Sequence, residues 1–249
     1  MAAWCERVLA AAAPACVAAK LQLACFERLG APGWAALARV ARAAREHGLL
    51  VIADGKRGDV PVSARAYAQA LFGTTSTPWG KVSGLDADAA TLNPILGGDA
   101  LEPLIESAAA ADAGVFALVR TSNPGAADLF DLPTDQGPLH ERVARLLDAR
   151  ADALAGASGL SGVGAVVGAT EPRHLARLRE LMPRSIFLLP GVGAQGGRAE
   201  ELADAFAAGP ASAIVTASRS VAGAPDPGAA AERLREGVWE AACRGSSRR

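Results

Sequence analysis

Leu49-Leu50-Val51-Ile52-Ala53-Asp54-Gly55-Lys56-Arg57-Gly58-Asp59 is the stretch on which the fold turns. Five apolar residues in succession suit a strand buried on both faces, as in parallel sheets covered by helices. The run then stops abruptly on charge. Side chains alternate along a strand, so Asp54 and Lys56 share a face, and Asp59 follows on a loop from which it can fold back. Taken alone, D-x-K-x-x-D also fits a solvated surface turn with ion pairs. Lys20 argues for a cluster. It closes a second apolar run, Val17-Ala18-Ala19-Lys20, where a charge needs a counter-ion. Asp54 on an adjacent parallel strand would supply one. The expected array is an alternating Lys20–Asp54–Lys56–Asp59 network.

The same pattern extends in both directions. Apolar runs at 16–23, 49–53, 89–92, 114–119, 162–167, 186–189 and 213–216 predict seven strands. Between and after them, 34–47, 62–72, 101–111, 139–157, 172–181, 199–208 and 228–244 predict helices. Residues 1–13, alanine-rich with Glu6 and Arg7 inside, read as an amphipathic helix rather than a signal peptide. Strict alternation of strand and helix implies a parallel sheet. Seven strands fit either a (β/α) barrel one strand short of eight or an open doubly wound sheet. Two polar breaks, 74–84 and 125–137, read as loops, and the tail 244–249 as frayed.

Composition narrows the function classes. The chain has 249 residues, 51% of them hydrophobic, enough for one large core. We therefore expect residues 1–249 to form a single barrel domain. A net charge of -1 argues against a general nucleic-acid or membrane-surface role, which needs a basic face, and leaves room for a local anion site. No apolar run is long enough to span a bilayer. Cys5, Cys16, Cys25 and Cys243 form no C-x-x-C pair, so free thiols in a reducing cytosol are expected, with neither a zinc site nor a disulfide framework.

Two further motifs point to an anion. Leu189-Pro190-Gly191-Val192-Gly193-Ala194-Gln195-Gly196-Gly197 is a glycine-rich turn ahead of a predicted helix, an arrangement that offers backbone N–H groups to a phosphate. It is neither a Walker loop nor the first βα turn, which argues against a nucleoside-triphosphate or dinucleotide site. Ala217-Ser218-Arg219-Ser220 follows the last strand, and barrel phosphate sites commonly use the loops after the last two strands. Arg219 would provide a forked, charged grip.

Together with Ala19-Lys20-Leu21-Gln22, Phe26-Glu27-Arg28-Leu29-Gly30, Leu92-Asn93-Pro94-Ile95-Leu96-Gly97, Thr121-Ser122-Asn123-Pro124-Gly125 and Val166-Val167-Gly168-Ala169-Thr170, these segments resemble the orotidine 5'-phosphate decarboxylase family, in particular its longer bacterial (type 2) subgroup. The resemblance implies a TIM (β/α)8 barrel, metal-free and cofactor-free conversion of orotidine 5'-phosphate to UMP and CO2 in pyrimidine biosynthesis, and a cytoplasmic homodimer. It implies that Lys56 gives the proton to C6 of the pyrimidine, with Asp54 and Asp59 framing the substrate carboxylate. Lys20 would contact the ribose hydroxyls and Ser122 the ring. Gln195, with Gly196 beside it, and Arg219 would hold the phosphate. Asn93 would also line the substrate. Residues matching Asp59 and Ser63 would reach into the neighbouring subunit's site. The family's first strand, with an aspartate that binds ribose, has no counterpart in residues 1–15, so the resemblance implies a barrel incomplete at its N-terminus. Two alternatives share parts of this pattern: a magnesium-dependent sugar-phosphate decarboxylase or synthase barrel, and a nucleotide-binding remnant without turnover.

Overall fold

A computed structural model describes residues 1–247, which group into two compact units. The first comprises Met1–Val115 with Val221–Glu232. It opens on α1 (Ala2–Ala12), followed by β1 (Ala18–Gln22), α2 (Leu23–Glu27), α3 (Ala31–Glu46), β2 (Leu50–Arg57) and α4 (Pro61–Leu71). A hairpin of β3 (Thr74–Thr77) and β4 (Gly80–Ser83) precedes β5 (Ala89–Leu92) and α5 (Gly98–Ala110). Strands β1, β2 and β5 are parallel in that order, with Lys20 opposite Ile52 and Gln22 opposite Asp54.

Apolar spacing explains which faces are buried. On α3, Leu37, Val40, Ala41 and Ala44 recur at three- and four-residue intervals and are fully buried. Gly33 on the same face lies where a Cβ would fall 1.9 Å from the Phe26 carbonyl oxygen, so only glycine lets α3 approach α2. β5 is buried along its whole length, as a strand covered on both faces must be.

The second unit comprises Phe116–Ser220 and the chain from Arg233 onward. It takes most of β6 (Gly114–Arg120), then α6 (Ala127–Phe130), the two-residue strands β7 (Pro133–Thr134) and β8 (Gly137–Pro138), and α7 (Leu139–Asp148). It continues with β9 (Ser161–Val167), α8 (Arg173–Leu181), β10 (Ser185–Leu189) and β11 (Ala213–Val215). Two helices close the chain, α9 (Arg219–Ala222) and α10 (Pro227–Ser246), the latter crossing from one unit to the other. β9, β10 and β11 are parallel neighbours, with Phe187 opposite both Ala165 and Ala213.

The seven expected strands are all present. Several expected helices and loops differ. The 139–157 helix stops at Asp148, where the Arg150 guanidinium takes the Leu146 carbonyl and a short 3-10 turn, Ala151–Leu154, follows. Residues 199–208 form two 3-10 turns, Ala199–Glu201 and Ala203–Phe206, rather than an α-helix. Arg179 binds the end of this segment. Buried on α8, it donates to the carbonyls of Met182, Ser185, Ala205 and Ser212. The Ala205 carbonyl is held by both Arg179 and the Ser212 hydroxyl. Burial pushes the Arg179 guanidinium down to about 10, still charged at neutral pH. The polar breaks at 74–84 and 125–137 contain the β3–β4 and β7–β8 pairings. The tail expected to fray stays helical through Ser246, and residues 248–249 lie outside the described residues.

Candidate active site

In the first unit the charges gather at the C-terminal end of β2. Lys20, from β1, and Lys56 both donate to the Asp54 carboxylate, Lys20 to Oδ2 and Lys56 to Oδ1, the latter at 2.6 Å. The buried Thr91 hydroxyl on β5 donates to the same Oδ1 at 2.8 Å. The Gln22 amide lies against the same carboxylate, and with its nitrogen turned toward Asp54 it would donate to Oδ2 at 2.6 Å. Burial alone would raise the Asp54 carboxyl. The charges and hydrogen bonds of Lys20, then Lys56, outweigh it and hold the group below the usual carboxylate range. Asp54 is therefore a fixed, buried negative charge between two ammonium groups.

The strand does not deliver Lys56 by simple alternation. Lys56 has φ of +49°, a left-handed conformation uncommon outside glycine. The β2–β5 register shifts between Ala53 and Arg57. Gly58 follows, where a Cβ would lie 2.4 Å from the Asn93 carbonyl oxygen, so the two segments meet at backbone distance. Asn93 itself donates its N–H to the Arg57 carbonyl and accepts from Ile95 N–H on its side chain.

Asp59 stands apart from the expected network. Among the described residues its carboxylate takes the Val60 N–H at 2.7 Å at the approach to α4, and the lysine ion pairs go to Asp54. Ser63 lies in the first turn of α4, half-buried.

The second unit assembles the anion motifs. Ser122 Oγ, just after β6, donates to Gln195 Oε1 at 2.7 Å, and Thr170 Oγ1 donates to the Ser122 carbonyl at 3.0 Å. Gly193 packs against Ser220, where a Cβ would meet the Ser220 hydroxyl at 3.1 Å. The glycine turn and the Ser218-Arg219-Ser220 segment are thus neighbours, with Gln195, Gly196 and Arg219 all exposed. The turn is not the expected helix N-terminus, because 3-10 turns follow it. The Gly193, Gly196 and Gly197 N–H groups bond within the turn itself. The side chains of Gln195 and Arg219 are exposed beside this turn.

Arg120, Asp131 and Thr91 were not anticipated. Arg120 is buried and grips Asp131 with two bonds of 2.8 and 3.0 Å while donating to the Thr121 carbonyl, which fixes the loop carrying Ser122. The signal that exposed Lys20, a charge closing an apolar run, was available for Arg120 too. Among the described residues no group of three or more His, Cys, Asp or Glu side chains is placed to hold a metal ion.

Residues 3–234 match the orotidine 5'-phosphate decarboxylase / HUMPS family. An orotidine 5'-phosphate decarboxylase of Rhodopirellula baltica is 42% identical over 88% of this chain and 71% of its own. One from Deinococcus radiodurans is 45% identical over 90% and 79%. The structure of the Leishmania donovani OMP decarboxylase superposes with a TM-score of 0.78 at 34% identity, covering 97% of this chain and 88% of that one. The fold is accordingly α/β, of the TIM-barrel class. With its charged network, its glycine turn and its sequence matched along nearly the whole length, the chain belongs to the orotidine 5'-phosphate decarboxylase / HUMPS family.

Proposed function

We propose that this chain converts orotidine 5'-phosphate to UMP and CO2 in pyrimidine biosynthesis, as a carboxy-lyase that uses neither metal nor cofactor, with residues 1–249 working as one cytoplasmic domain. The observation that carries the reading is the asymmetry of the Asp54–Lys56 pair. The Asp54 side chain is 6% exposed, whereas that of Lys56 is 42% exposed. The carboxylate is locked in place and the ammonium is presented.

Loss of CO2 breaks the C6–carboxylate bond and leaves its electron pair on C6, a carbon without an adjacent electron sink. A preorganised positive charge beside that carbon lowers the barrier because it needs no reorganisation as charge develops. Lys56 provides this charge, then transfers a proton from Nζ to C6, yielding UMP and a neutral amine that solvent reprotonates. Asp54 holds the Lys56 ammonium in place before the step and opposes the substrate carboxylate, with the Asp59 of a second copy as the second acid. Lys20 holds Asp54 and binds the ribose hydroxyls, with Asn93 beside the substrate. Ser122 contacts the ring. Gln195, Gly196 and Arg219 take the 5'-phosphate, whose binding energy supports the transition state. Asp59 and Ser63 complete the site of a second copy in a homodimer.

The test is spectrophotometric decarboxylation of orotidine 5'-phosphate with EDTA present. Turnover is expected, and Lys56→Ala should reduce it by about 10⁴-fold or more, since charge stabilisation and proton transfer are lost together. UMP should still bind the variant. Turnover that needs magnesium would favour a sugar-phosphate barrel, and UMP binding without turnover would favour a non-catalytic role.

A further inference from the structure

Thr91 is 1% exposed in a strand, Ala-Ala-Thr-Leu, that is otherwise apolar. A lone threonine there is ordinarily a packing residue, since its branched side chain suits a strand. Its hydroxyl, however, is committed twice. It accepts the Lys56 backbone N–H at 2.9 Å and donates to Asp54 Oδ1 at 2.8 Å. A hydroxyl has one proton, so the orientation of this one is fixed by Asp54 and its lone pair by Lys56.

Both partners belong to the site. Ala53 pairs with Ala90 and Arg57 with Leu92, so three residues of β2 face Thr91 alone on β5. Lys56 lies inside this bulge at φ +49°. A bulge re-aims a side chain and takes backbone groups out of the regular ladder, and a residue held in a sparsely populated conformation persists only when its surroundings impose it. The Thr91 hydroxyl is the group that meets the Lys56 N–H there. The same Oδ1 that it bonds also receives Lys56 Nζ at 2.6 Å. Backbone and ammonium of Lys56 are therefore referenced to one buried oxygen through one side chain.

We propose that Thr91 is a positioning residue for the Lys56 ammonium, acting through its hydroxyl rather than its bulk. This rests on the assignment of Lys56 as proton donor. Removing the hydroxyl releases the left-handed backbone and one donor of Asp54, and lets the ammonium drift from C6. The effect belongs on kcat and leaves UMP binding nearly unchanged.

Threonine substitutions separate shape from hydrogen bonding. Thr91→Val keeps the shape and deletes the hydroxyl, whereas Thr91→Ser keeps the hydroxyl and deletes a methyl. On the hydroxyl account, kcat falls about 100-fold in Thr91→Val, the scale of a 1 Å misplacement, with UMP affinity within about threefold, and Thr91→Ser recovers most of the activity. A packing role predicts the reverse order. Thr91→Val with kcat near that of the parent, or Thr91→Ser as impaired as Thr91→Val, overturns the proposal. If Thr91→Val does not fold, Thr91→Cys, a weak hydrogen-bonding isostere, takes its place with the same two expectations. Failure of the parent chain itself to decarboxylate orotidine 5'-phosphate would remove the functional assignment, a result distinct from any of these.

Discussion

Arg219 begins a four-residue helix, exposed, beside a serine that packs on the glycine turn. An exposed guanidinium gives up bound water on meeting a phosphate, so its net contribution is smaller than that of one already desolvated. Arg219→Ala should therefore weaken UMP by about 1.5–3 kcal/mol, roughly 10- to 150-fold in Kd. Arg219→Lys should recover part of this, lacking only the forked geometry. Calorimetric titration with UMP checks both, and an unchanged Kd would place the phosphate elsewhere. At this scale the sequence exposed some residues and concealed others for a physical reason. Lys20, Asp54 and Lys56 stand out because a charge at the end of an apolar run demands a partner. Thr91 does not, since its role depends on a register shift between β2 and β5 that no pattern along one strand records. Asp59 was expected to fold back, but the nearest N–H, that of Val60, claims its carboxylate.

Helices α7 and α8 bring His140 and His174 together, ring centroids 4.8 Å apart and edge to face. His140 Nδ1 faces the Phe130 carbonyl and Asp131 Oδ1, two acceptors, so that nitrogen carries the proton. Among the described residues, the buried Nε2 of His174 has no hydrogen-bond partner. Burial, then the neighbouring His140, with smaller contributions from Arg120 and Arg173, pushes His174 below the ordinary histidine range, against the opposing pull of Asp131. The unfolded chain thus binds this proton at a higher pH than the folded chain. Stability contributed by neutral His174 is complete above about pH 6.5 and declines as pH falls from there to the lower folded value. Thermal unfolding should show a melting temperature that drops between pH 7 and pH 5. His174→Gln should flatten that slope, and equal slopes in the two proteins would assign it to other groups. Elements differed in how plainly they could be read. Strands buried on both faces announce themselves as continuous apolar runs, and each of the seven is present. The segment 199–208 is rich in helix formers, yet it forms two 3-10 turns, and Arg179, distant in sequence, binds its Ala205 carbonyl. Local propensity is a weak prior where a tertiary hydrogen bond competes.

Across the whole molecule, the exposed apolar surface is what remains to be explained. Trp79, at the tip of the β3–β4 hairpin, is 92% exposed, and Val62 in the first turn of α4 is 74% exposed. β3 packs on α4, and Val60, Val82, Ile95 and Leu96 of the same unit are also exposed. Single exposed apolar residues are ordinary, whereas a contiguous group of them would suit a surface that another protein covers. The valines at 60 and 62 lie between Asp59 and Ser63, the residues proposed to serve a second copy's site. Burial of this stretch in a homodimer would cover the valines and deliver the polar pair to the partner at once. Val62→Glu places a charge in that buried surface and should weaken the dimer by about tenfold or more, a cost of at least about 1.4 kcal/mol. Sedimentation at a series of concentrations would follow the dissociation. Turnover per chain should fall over the same concentrations, because an isolated chain lacks its partner's Asp59 and Ser63. A chain that sediments as a monomer at full specific activity would end the shared-site account and leave the valines to another partner.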